Sequence, residues 1–439
     1  MPKNASTPNF PEKPVNAASE KLPSVPREIR VLVAAAFVVA LGFGLIAPIL
    51  PQFATSFNVG VAAASVIVSI FAFARLIFAP VSGKLTDWLG EPTVYVTGVL
   101  IVAASTILCG FAQSYTQLLI FRGLGGLGST MFTVSAMALI ARMSPPQIRG
   151  RIAGLYSGSF LLGNVAGPVL GSLAAGMGFR IPFFIYGGAL VVAAAIVYFS
   201  LSHSRRATVK TAAEKAAPAV NRIPLSEAWG AASFKAALVS GFTNGWMAFG
   251  VRMSLIPLFA VAAFASQGTL LAGLALAIFA VGNGAALTVA GRLTDTYGRR
   301  LPILVGLTVA SLATAAIGWV DTIPLFIALS VIGGLGTGLM GPAQQAAIAD
   351  VVGQGRNGGK VMATFQMATD FGSIIGPILA GLIADRAGFG WAFTVSGALG
   401  LMGVIAWLPV KEKRPAAANE SSTAASKPGP FRDGLDDRQ

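Results

Sequence analysis

Long apolar segments separated by short polar ones run along almost the whole chain. Each apolar segment has about 20 residues, which is enough to cross a ~30 Å hydrocarbon core. They lie near 30–52, 62–83, 93–112, 116–141, 151–175 and 181–201, then near 235–261, 269–290, 301–319, 323–349, 360–384 and 390–410. This pattern predicts an all-α integral membrane protein with twelve transmembrane helices, six in each half.

Lys and Arg are divided unequally among the polar segments. Nearly all lie in the two tails, in every second loop and in the central linker, whereas the opposite loops hold little more than Arg180 and Arg386. Basic loops stay in the cytoplasm, so we expect a multi-pass protein of the cell (plasma or inner) membrane with both termini cytoplasmic. The predicted divisions are disordered tails at 1–28 and 411–439, six-helix bundles at 29–203 and 234–410, and a linker at 204–233.

Two polar loops are near-copies of each other. The first loop copy, Gly83-Lys-Leu-Thr-Asp87-Trp-Leu-Gly90, recurs 208 residues later as the second loop copy, Gly291-Arg-Leu-Thr-Asp295-Thr-Tyr-Gly298. Two more pairs match at nearly the same offset: Gly125-Gly-Leu-Gly128 with Gly333-Gly-Leu-Gly336, and Gly163-x-x-x-Gly167-Pro168 with Gly372-x-x-x-Gly376-Pro377. Six helices per half make this a parallel repeat about an axis along the membrane normal.

The composition limits the possible functions. Only 11% of the 439 residues are charged, against about 25% in soluble domains. The net charge of +14 is concentrated beside the spans, which favours contact with anionic lipid over nucleic acid. A single Cys109 excludes a disulfide framework, and the lone His203 is interpreted as a loop residue. The sequence contains no phosphate-binding loop, metal pair or nucleophile elbow, so we predict no enzyme activity, metal or bound cofactor.

The loop copies resemble the first signature of the major facilitator superfamily, Gly-x-x-x-Asp-x-x-Gly followed by basic residues. The resemblance implies a cytoplasmic gate formed by Gly83, Asp87, Gly90, Gly291, Asp295, Gly298, Arg299 and Arg300. The second copy continues with the basic pair, but the first continues with Glu91-Pro92. We therefore expect the charge network to be weaker in the N-terminal half and the pseudo-symmetry to be broken there.

The fifth helix carries a glycine pattern. Gly163, Gly167 and Gly171 are four residues apart, so they place bare backbone on one helix face where a neighbour can approach closely. With Asn164 and Pro168 they resemble the antiporter signature of the superfamily. The resemblance implies membership of the twelve-helix drug:proton antiporter group, and hence efflux in exchange for protons.

Four ionisable residues lie inside predicted spans, where a charge is costly and usually functional: Arg75, Arg122, Arg252 and Asp370. The run from Arg122 to Gly128 resembles the fourth-helix signature, whose Arg is associated with proton coupling. Asp370 is the only carboxylate well inside a span, so it is the candidate protonatable or cation-pairing group. For each residue the alternative is a structural contact that only specifies packing.

The cavity lining is predicted less directly. The first helix has no acidic residue, and three Arg against one Asp favour neutral, amphipathic or anionic substrates. That expectation requires the Arg side chains to face the central cavity. Candidate cavity residues are Gln344, Gln345, Trp246 and Phe365, for which packing between helices is the alternative.

Together these patterns predict a secondary active transporter. It would export a small apolar or amphipathic compound, a drug or metabolite, by alternating access and use the proton gradient instead of a bound cofactor. Its partners would be the small-molecule substrate and the lipid bilayer, with no nucleic acid, and the protein would be a monomer. A facilitator or symporter for a sugar or organic anion is the alternative.

Overall fold

The computed structural model describes residues 25–145, 148–204, 223–353, 356 and 358–411, and these contain helices and no strand. Twelve long helices are numbered in chain order. In the N-terminal half they are α1 (Arg27–Ile46), α2 (Val61–Leu89), α3 (Glu91–Phe111), α4 (Tyr115–Met143), α5 (Arg149–Ala175) and α6 (Ile181–Ser204). In the C-terminal half they are α7 (232–264), α8 (Gly268–Tyr297), α9 (Arg300–Ile317), α10 (Ile323–Val352), α11 (Gly359–Ala387) and α12 (Phe389–Trp407).

Eleven helical stretches among the described residues are long and apolar enough to span a membrane. The longest, Ala232–Tyr297, contains both α7 and α8, which are separated by a 3₁₀ turn at Ala265–Gln267. Ala265 has a φ of 45°, an unusual conformation for a residue with a side chain, and the chain reverses there. The prediction of an all-α protein with twelve spanning helices is therefore confirmed.

The helices form two bundles with the same internal contacts. In the first, α1 packs on α5, and α4 packs on α2 and α3; in the second, α7 packs on α11, and α10 packs on α8 and α9. Each bundle has its own main cluster of buried apolar side chains. The pseudo-symmetric architecture follows the sequence repeat. Residues 1–24 and 412–439 of the predicted tails, and 205–222 of the predicted linker, lie outside the described residues, as does the side chain of His203.

The glycine face of α5 packs directly on α1. A Cβ on Gly163 would lie 2.6 Å from the Cβ of Ala40, and one on Gly167 or Gly171 would overlap the carbonyl oxygen of Leu41 or Leu45. No side chain fits at these contacts, so the three glycines set the distance between the two helices. The antiporter-like pattern thus has a packing role within the first bundle. Asn164, beside this face, is half-buried and makes no hydrogen bond with a described residue.

Candidate functional site

The helix ends define two faces of the molecule. We call the side of the basic loops, 84–92, 142–151, 291–300 and 350–360, the basic face, and the other side the opposite face. The bundles touch each other along two helix pairs, α2 with α11 and α5 with α8. How far these contacts extend shows on which side the space between the bundles is open.

The α2–α11 pair is closed at the opposite face. The carboxylate of Asp385 in α11 accepts hydrogen bonds from the backbone N–H of Val61 (2.8 Å) and of Ala62 (2.9 Å), in the first turn of α2. Closer to the middle, the Ser69 hydroxyl donates to the carbonyl of Ile374 (2.6 Å). Asp385 supplies a cap that Gly60, the N-cap residue of α2, cannot provide, and it does so from the other bundle.

The α5–α8 pair is closed on the same side. A Cβ on Gly273 of α8 would overlap the Ser172 hydroxyl of α5, and one on Gly284 would lie 2.7 Å from the Leu161 side chain. The start of α8 also contacts the first bundle, because Thr269 Oγ1 donates to Gln52 Oε1 (2.7 Å).

Toward the basic face both pairs separate. A Cβ built on Gly83 of α2, Gly154 of α5 or Gly291 of α8 would meet nothing within 4 Å. Asp87 and Asp295 of the two loop copies are exposed, and neither forms a hydrogen bond or ion pair with a described residue. The space between the bundles therefore opens at the basic face, and the loop copies do not hold the bundles together in this conformation.

Arg75 and Asp370 lie where α2 and α11 begin to separate. Arg75 lies six residues beyond Ser69 in α2, and Asp370 lies four residues before Ile374 in α11, both toward the basic face. Their charges interact electrostatically. Arg75 is accessible to solvent although protein surrounds it on nearly all sides, which places it in the space between the bundles. Asp370 is half-buried, and its Oδ1 accepts a hydrogen bond from Gln366 (2.9 Å).

The backbone at Arg75 is positioned by the glycine run of α4. The hydroxyl of Thr130 donates to the carbonyl of Arg75 (3.2 Å), and a Cβ on Gly126 would lie 2.8 Å from the Ala74 Cβ. Close approach of α4 thus fixes the height of Arg75 along α2. The repeat-related Gly334 of α10 packs in the same way near Asn283, the position equivalent to Arg75.

The intramembrane charges are unequally distributed between the two helix pairs. At the repeat offsets of 208 and 209, Arg75 corresponds to Asn283 of α8, and Asp370 corresponds to Leu161 of α5. The α2–α11 pair thus carries both a cation and an anion at mid-span. The equivalent level of the α5–α8 pair has an amide and an apolar side chain.

Arg122 and Arg252 do not face the space between the bundles. The guanidinium of Arg122, 9% exposed, lies over the Phe71 ring (4.1 Å to the centroid), and that of Arg252, 5% exposed, lies over the Phe279 ring (3.8 Å). A desolvated contact of this type is worth about 2 kcal/mol. Two of the three Arg residues on which the predicted substrate preference was based therefore do not line the cavity, and neither forms an ion pair with a described carboxylate.

The two rings are related by the repeat, since Phe279 is 208 residues after Phe71. Their cations come from different helices, α4 in the first bundle and α7 in the second. The Phe at the same position of both repeats was a signal in the sequence for this arrangement. The sequence did not indicate which Arg would lie over each ring.

Three of the four candidate cavity residues are packed between helices. Trp246, 4% exposed, donates to Ser396 (3.1 Å); Gln344, 3% exposed, donates to Ser240 (2.6 Å). Phe365, 6% exposed, packs on the bare backbone of Gly241, where a Cβ would lie 2.7 Å from its ring. Their prediction as cavity lining is wrong in this conformation. Gln345 is exposed and makes no hydrogen bond with a described residue.

Each bundle has an ion pair directly after its loop copy, including the first bundle, where a weaker charge network was expected. Glu91 pairs with Arg142 of α4 (3.4 Å), and Arg299 pairs with Asp350 of α10 (2.9 Å). The four positions correspond at the 208 offset, so both bundles have the same ion pair with its signs reversed. Arg142 thus supplies the basic partner that Glu91-Pro92 lacks, but the N-terminal pair has the longer contact and the opposite signs, so the symmetry between the two halves is broken at this point.

The other members of the loop copies have local roles. Gly90 and Gly298 both have a φ of 82°, where a side chain would be strained, so each allows the sharp turn into the next helix. Arg300 donates to the carbonyls of Trp407 (3.3 Å) and Leu408 and thereby joins α9 to the end of α12.

Sequence reasoning missed two residues of the region between the bundles. Gln366 could have been found, because it lies one helical turn before Asp370 on the same face. Asp385 lies just beyond the predicted span that ends at 384, and no local pattern relates it to the start of α2, 324 residues earlier.

Comparison with known proteins places this arrangement in a family. The sequence profile of the Major Facilitator Superfamily matches residues 32–271 and 245–435. Multidrug resistance protein 1 of Bacillus subtilis is 26% identical over 387 residues, covering 86% of this chain and 96% of that protein. The class H tetracycline resistance protein of Pasteurella multocida is 26% identical over 384 residues, covering 83% and 90%.

The fold is shared with solved transporters. A bacterial homolog of the human lysosomal transporter Spinster, solved in an inward-facing and unoccupied conformation, superposes with a TM-score of 0.72 at 16% identity, covering 87% of this chain and 95% of that one. With its profile match over both halves, its repeated six-helix bundles and its opening between them, the chain belongs to the Major Facilitator Superfamily.

Proposed function

We propose that this protein is a proton-coupled exporter of small apolar or amphipathic compounds that works by alternating access. The carrying observation is Asp370, the only mid-span carboxylate of the sequence, which faces the space between the bundles where α2 and α11 separate. Relatives named for multidrug and tetracycline resistance support efflux as the direction of transport. Both bundles of one chain form the site, so the proposal needs only a monomer.

We place the basic face in the cytoplasm, because Lys and Arg are retained there. The opening between the bundles then faces the cytoplasm, where an exporter takes up its substrate. Rocking the bundles would open the Asp385 contact on the outer side and close the basic face. In that state the bare backbone at Gly83 and Gly291 would accept a neighbouring helix, and Asp87 and Asp295 would gain partners.

Asp370 would couple this motion to protons. A carboxylate held at mid-span without full pairing raises the energy of a closed, dehydrated state. Binding a proton removes that charge, so an empty transporter would return to the cytoplasm-open state with Asp370 protonated. Arg122 and Arg252 would serve packing in this scheme, because aromatic rings cover them and neither pairs with a described carboxylate.

The test uses inside-out vesicles with an acidic lumen and a set of four fluorescent probes. They share the apolar dansyl-lysine body: Nε-dansyl-lysine (zwitterion), its methyl ester (cation), its Nα-acetyl derivative (anion) and the acetylated methyl ester (neutral). We expect wild type to accumulate at least one probe when the pH gradient is imposed. Asp370→Asn should lose this gradient-driven accumulation, and Arg122→Lys should retain it.

Asp321→Asn is the matched control, since it removes an exposed acidic group from the loop before α10. Unchanged gradient-driven accumulation in Asp370→Asn would rule out Asp370 as the coupling group. Wild-type flux that no gradient affects in either direction would reject antiport. That result would favour the second candidate, a facilitator for a sugar or organic anion, for which the accessible Arg75 is the supporting feature.

A further inference from the structure

Only two of the four intramembrane ionisable groups remain available to a ligand. Phe rings cover Arg122 and Arg252, whereas Arg75 and Asp370 lie in the space between the bundles. The Arg75 guanidinium makes no hydrogen bond or ion pair with a described residue. Asp370 uses one oxygen for Gln366 and has no described partner for the other. The site therefore offers one free cation and one free anion, not an excess of positive charge.

The two charges lie on helices that pack against each other, but they do not form an ion pair. They interact electrostatically, yet no nitrogen of Arg75 is within 4.0 Å of an Asp370 oxygen. Arg75 and Asp370 lie on different bundles, so the gap between their side chains belongs to the space between the bundles and opens at the basic face. A ligand can enter this space without first breaking a hydrogen-bonded ion pair.

Besides Gln366, small apolar residues lie next to the pair on the side of the basic face. Helical spacing places Ala79 on the face of α2 that carries Arg75, one turn closer to the basic face, and places Ala363 on the face of α11 that carries Asp370, two turns closer to the basic face. Both residues are exposed. A ligand bound at the charges would lay the rest of its body against these surfaces, which favours an amphipathic molecule.

We propose that the site recognises amphipathic zwitterions, with Arg75 binding the anionic group and Asp370 the cationic group. This rests on the proposed function, because Asp370 would exchange a proton for the substrate's cation. A ligand with a single charge would displace solvent from both groups and leave either Arg75 or Asp370 unpaired, which costs free energy. The zwitterion satisfies both groups and fixes the ligand's orientation between the bundles.

The repeat makes the site one-sided. The equivalent level of the α5–α8 pair has Asn283 and Leu161, which cannot provide a second charged site. The zwitterion therefore binds beside α2 and α11, not on the pseudo-symmetry axis.

The experiment measures equilibrium binding of the four dansyl-lysine probes to the purified full-length protein in nanodiscs at pH 6.5, where the methyl ester is mainly cationic, without a gradient. We expect wild type to bind the zwitterion at least about tenfold more tightly than each other probe, as expected for an added charge-assisted hydrogen bond. In Arg75→Gln, probes with a free carboxylate should no longer bind more tightly than their methyl esters. Probes with a free ammonium group should still bind more tightly than their acetylated forms. Asp370→Asn should do the reverse, and Arg75→Lys should recover part of the carboxylate preference.

Lys235→Gln and Asp321→Asn are controls for the loss of one exposed charge of each sign. Equal wild-type affinity for the four probes would overturn the proposal, as would an Arg75→Gln variant whose affinities fall by the same factor for every probe. If selectivity is absent while gradient-driven transport persists, the substrate class is wrong and the proposed function stands. If selectivity is present but no gradient affects flux, the recognition stands and the proton coupling fails.

Discussion

Removing the carboxylate of Asp385 should shift the protein toward the state that is closed at the basic face. In the present conformation Asp385 accepts two hydrogen bonds from the first turn of α2, at 2.8 and 2.9 Å. These bonds join the two bundles and must break when the opposite face opens. Gly60 provides no replacement, since it has no side chain to cap the helix.

The size of the shift follows from the contact. Loss of an N-terminal cap costs about 1 kcal/mol, and loss of a negative charge from a helix N-terminus costs about 0.3–1 kcal/mol more. The sum of about 1–2 kcal/mol corresponds to a factor of about 5–30 in the ratio of the two states. Water replaces part of the cap because the site is exposed, so the lower half of this range is expected for Asp385→Ala.

Disulfide formation between α5 and α8 can measure this ratio. Gly284 faces Leu161, so one turn closer to the basic face Thr288 should approach Ser157 when that face closes. Both residues are exposed in the open state. A Ser157→Cys/Thr288→Cys pair, with the buried Cys109 changed to Ala, would crosslink only in the closed state, because a disulfide needs Cα atoms within about 7 Å.

Adding Asp385→Ala should raise the crosslinking rate of this pair about 5–12-fold, and Asp385→Asn should have a smaller effect because its amide oxygen still accepts. Asp321→Ala, which removes an exposed acidic residue elsewhere in the second bundle, should leave the rate unchanged. An unchanged or reduced rate in Asp385→Ala would show that this cap does not hold the open state.

Three further predictions concern stability, measured as the thermal midpoint of the purified protein. Exchanging the charges in Glu91→Arg/Arg142→Glu keeps an ion pair but places the cation at the N-terminus of α3 and the anion at the C-terminus of α4, where the helix dipoles disfavour them. The double variant should therefore be about 1 kcal/mol less stable than wild type. Equal stability would exclude the dipole effect. Arg356 hydrogen-bonds Glu227 (2.7 Å) and lowers the pKa of that carboxyl, so the pair stabilises the fold above the ordinary Glu pKa and is lost as pH falls through the lowered value. Glu227→Gln should therefore lower the midpoint at pH 7 and not at strongly acidic pH, and a difference that persists in acid would contradict the linkage. Gly167→Val should cost about 1–3 kcal/mol, since its side chain would overlap α1, and an unchanged midpoint would refute the close contact.

The helices were predictable because lipid imposes a simple rule on the sequence. Every backbone polar group in the hydrocarbon must be paired within its own segment, so twenty-residue apolar runs become helices with little ambiguity. The predicted spans differ from the observed helices mainly at the ends, as for α2, predicted as 62–83 and observed as Val61–Leu89. These extra turns continue beyond the apolar run, where hydropathy carries no signal.

The candidate site was only partly predictable, because burial depends on neighbours that are distant in the chain. Arg75, Arg122 and Arg252 look alike in sequence, as single cations in apolar runs. Whether each one faces an aromatic ring or open space depends on how α2, α4, α7 and α8 pack. The same holds for Gln344 and Gln345, adjacent residues of which one is buried and the other exposed.

The sequence by itself determined the twelve helices, the twofold repeat and the exceptional position of Asp370, because each depends on local hydropathy or on self-similarity. Only the tertiary structure decided which charges share the space between the bundles, that Glu91 and Arg142 reverse the Arg299–Asp350 pair, and that Asp385 caps α2 from the other bundle. These contacts join residues up to 324 positions apart. Their energies depend on distance and burial in the folded bundles, which no local pattern encodes.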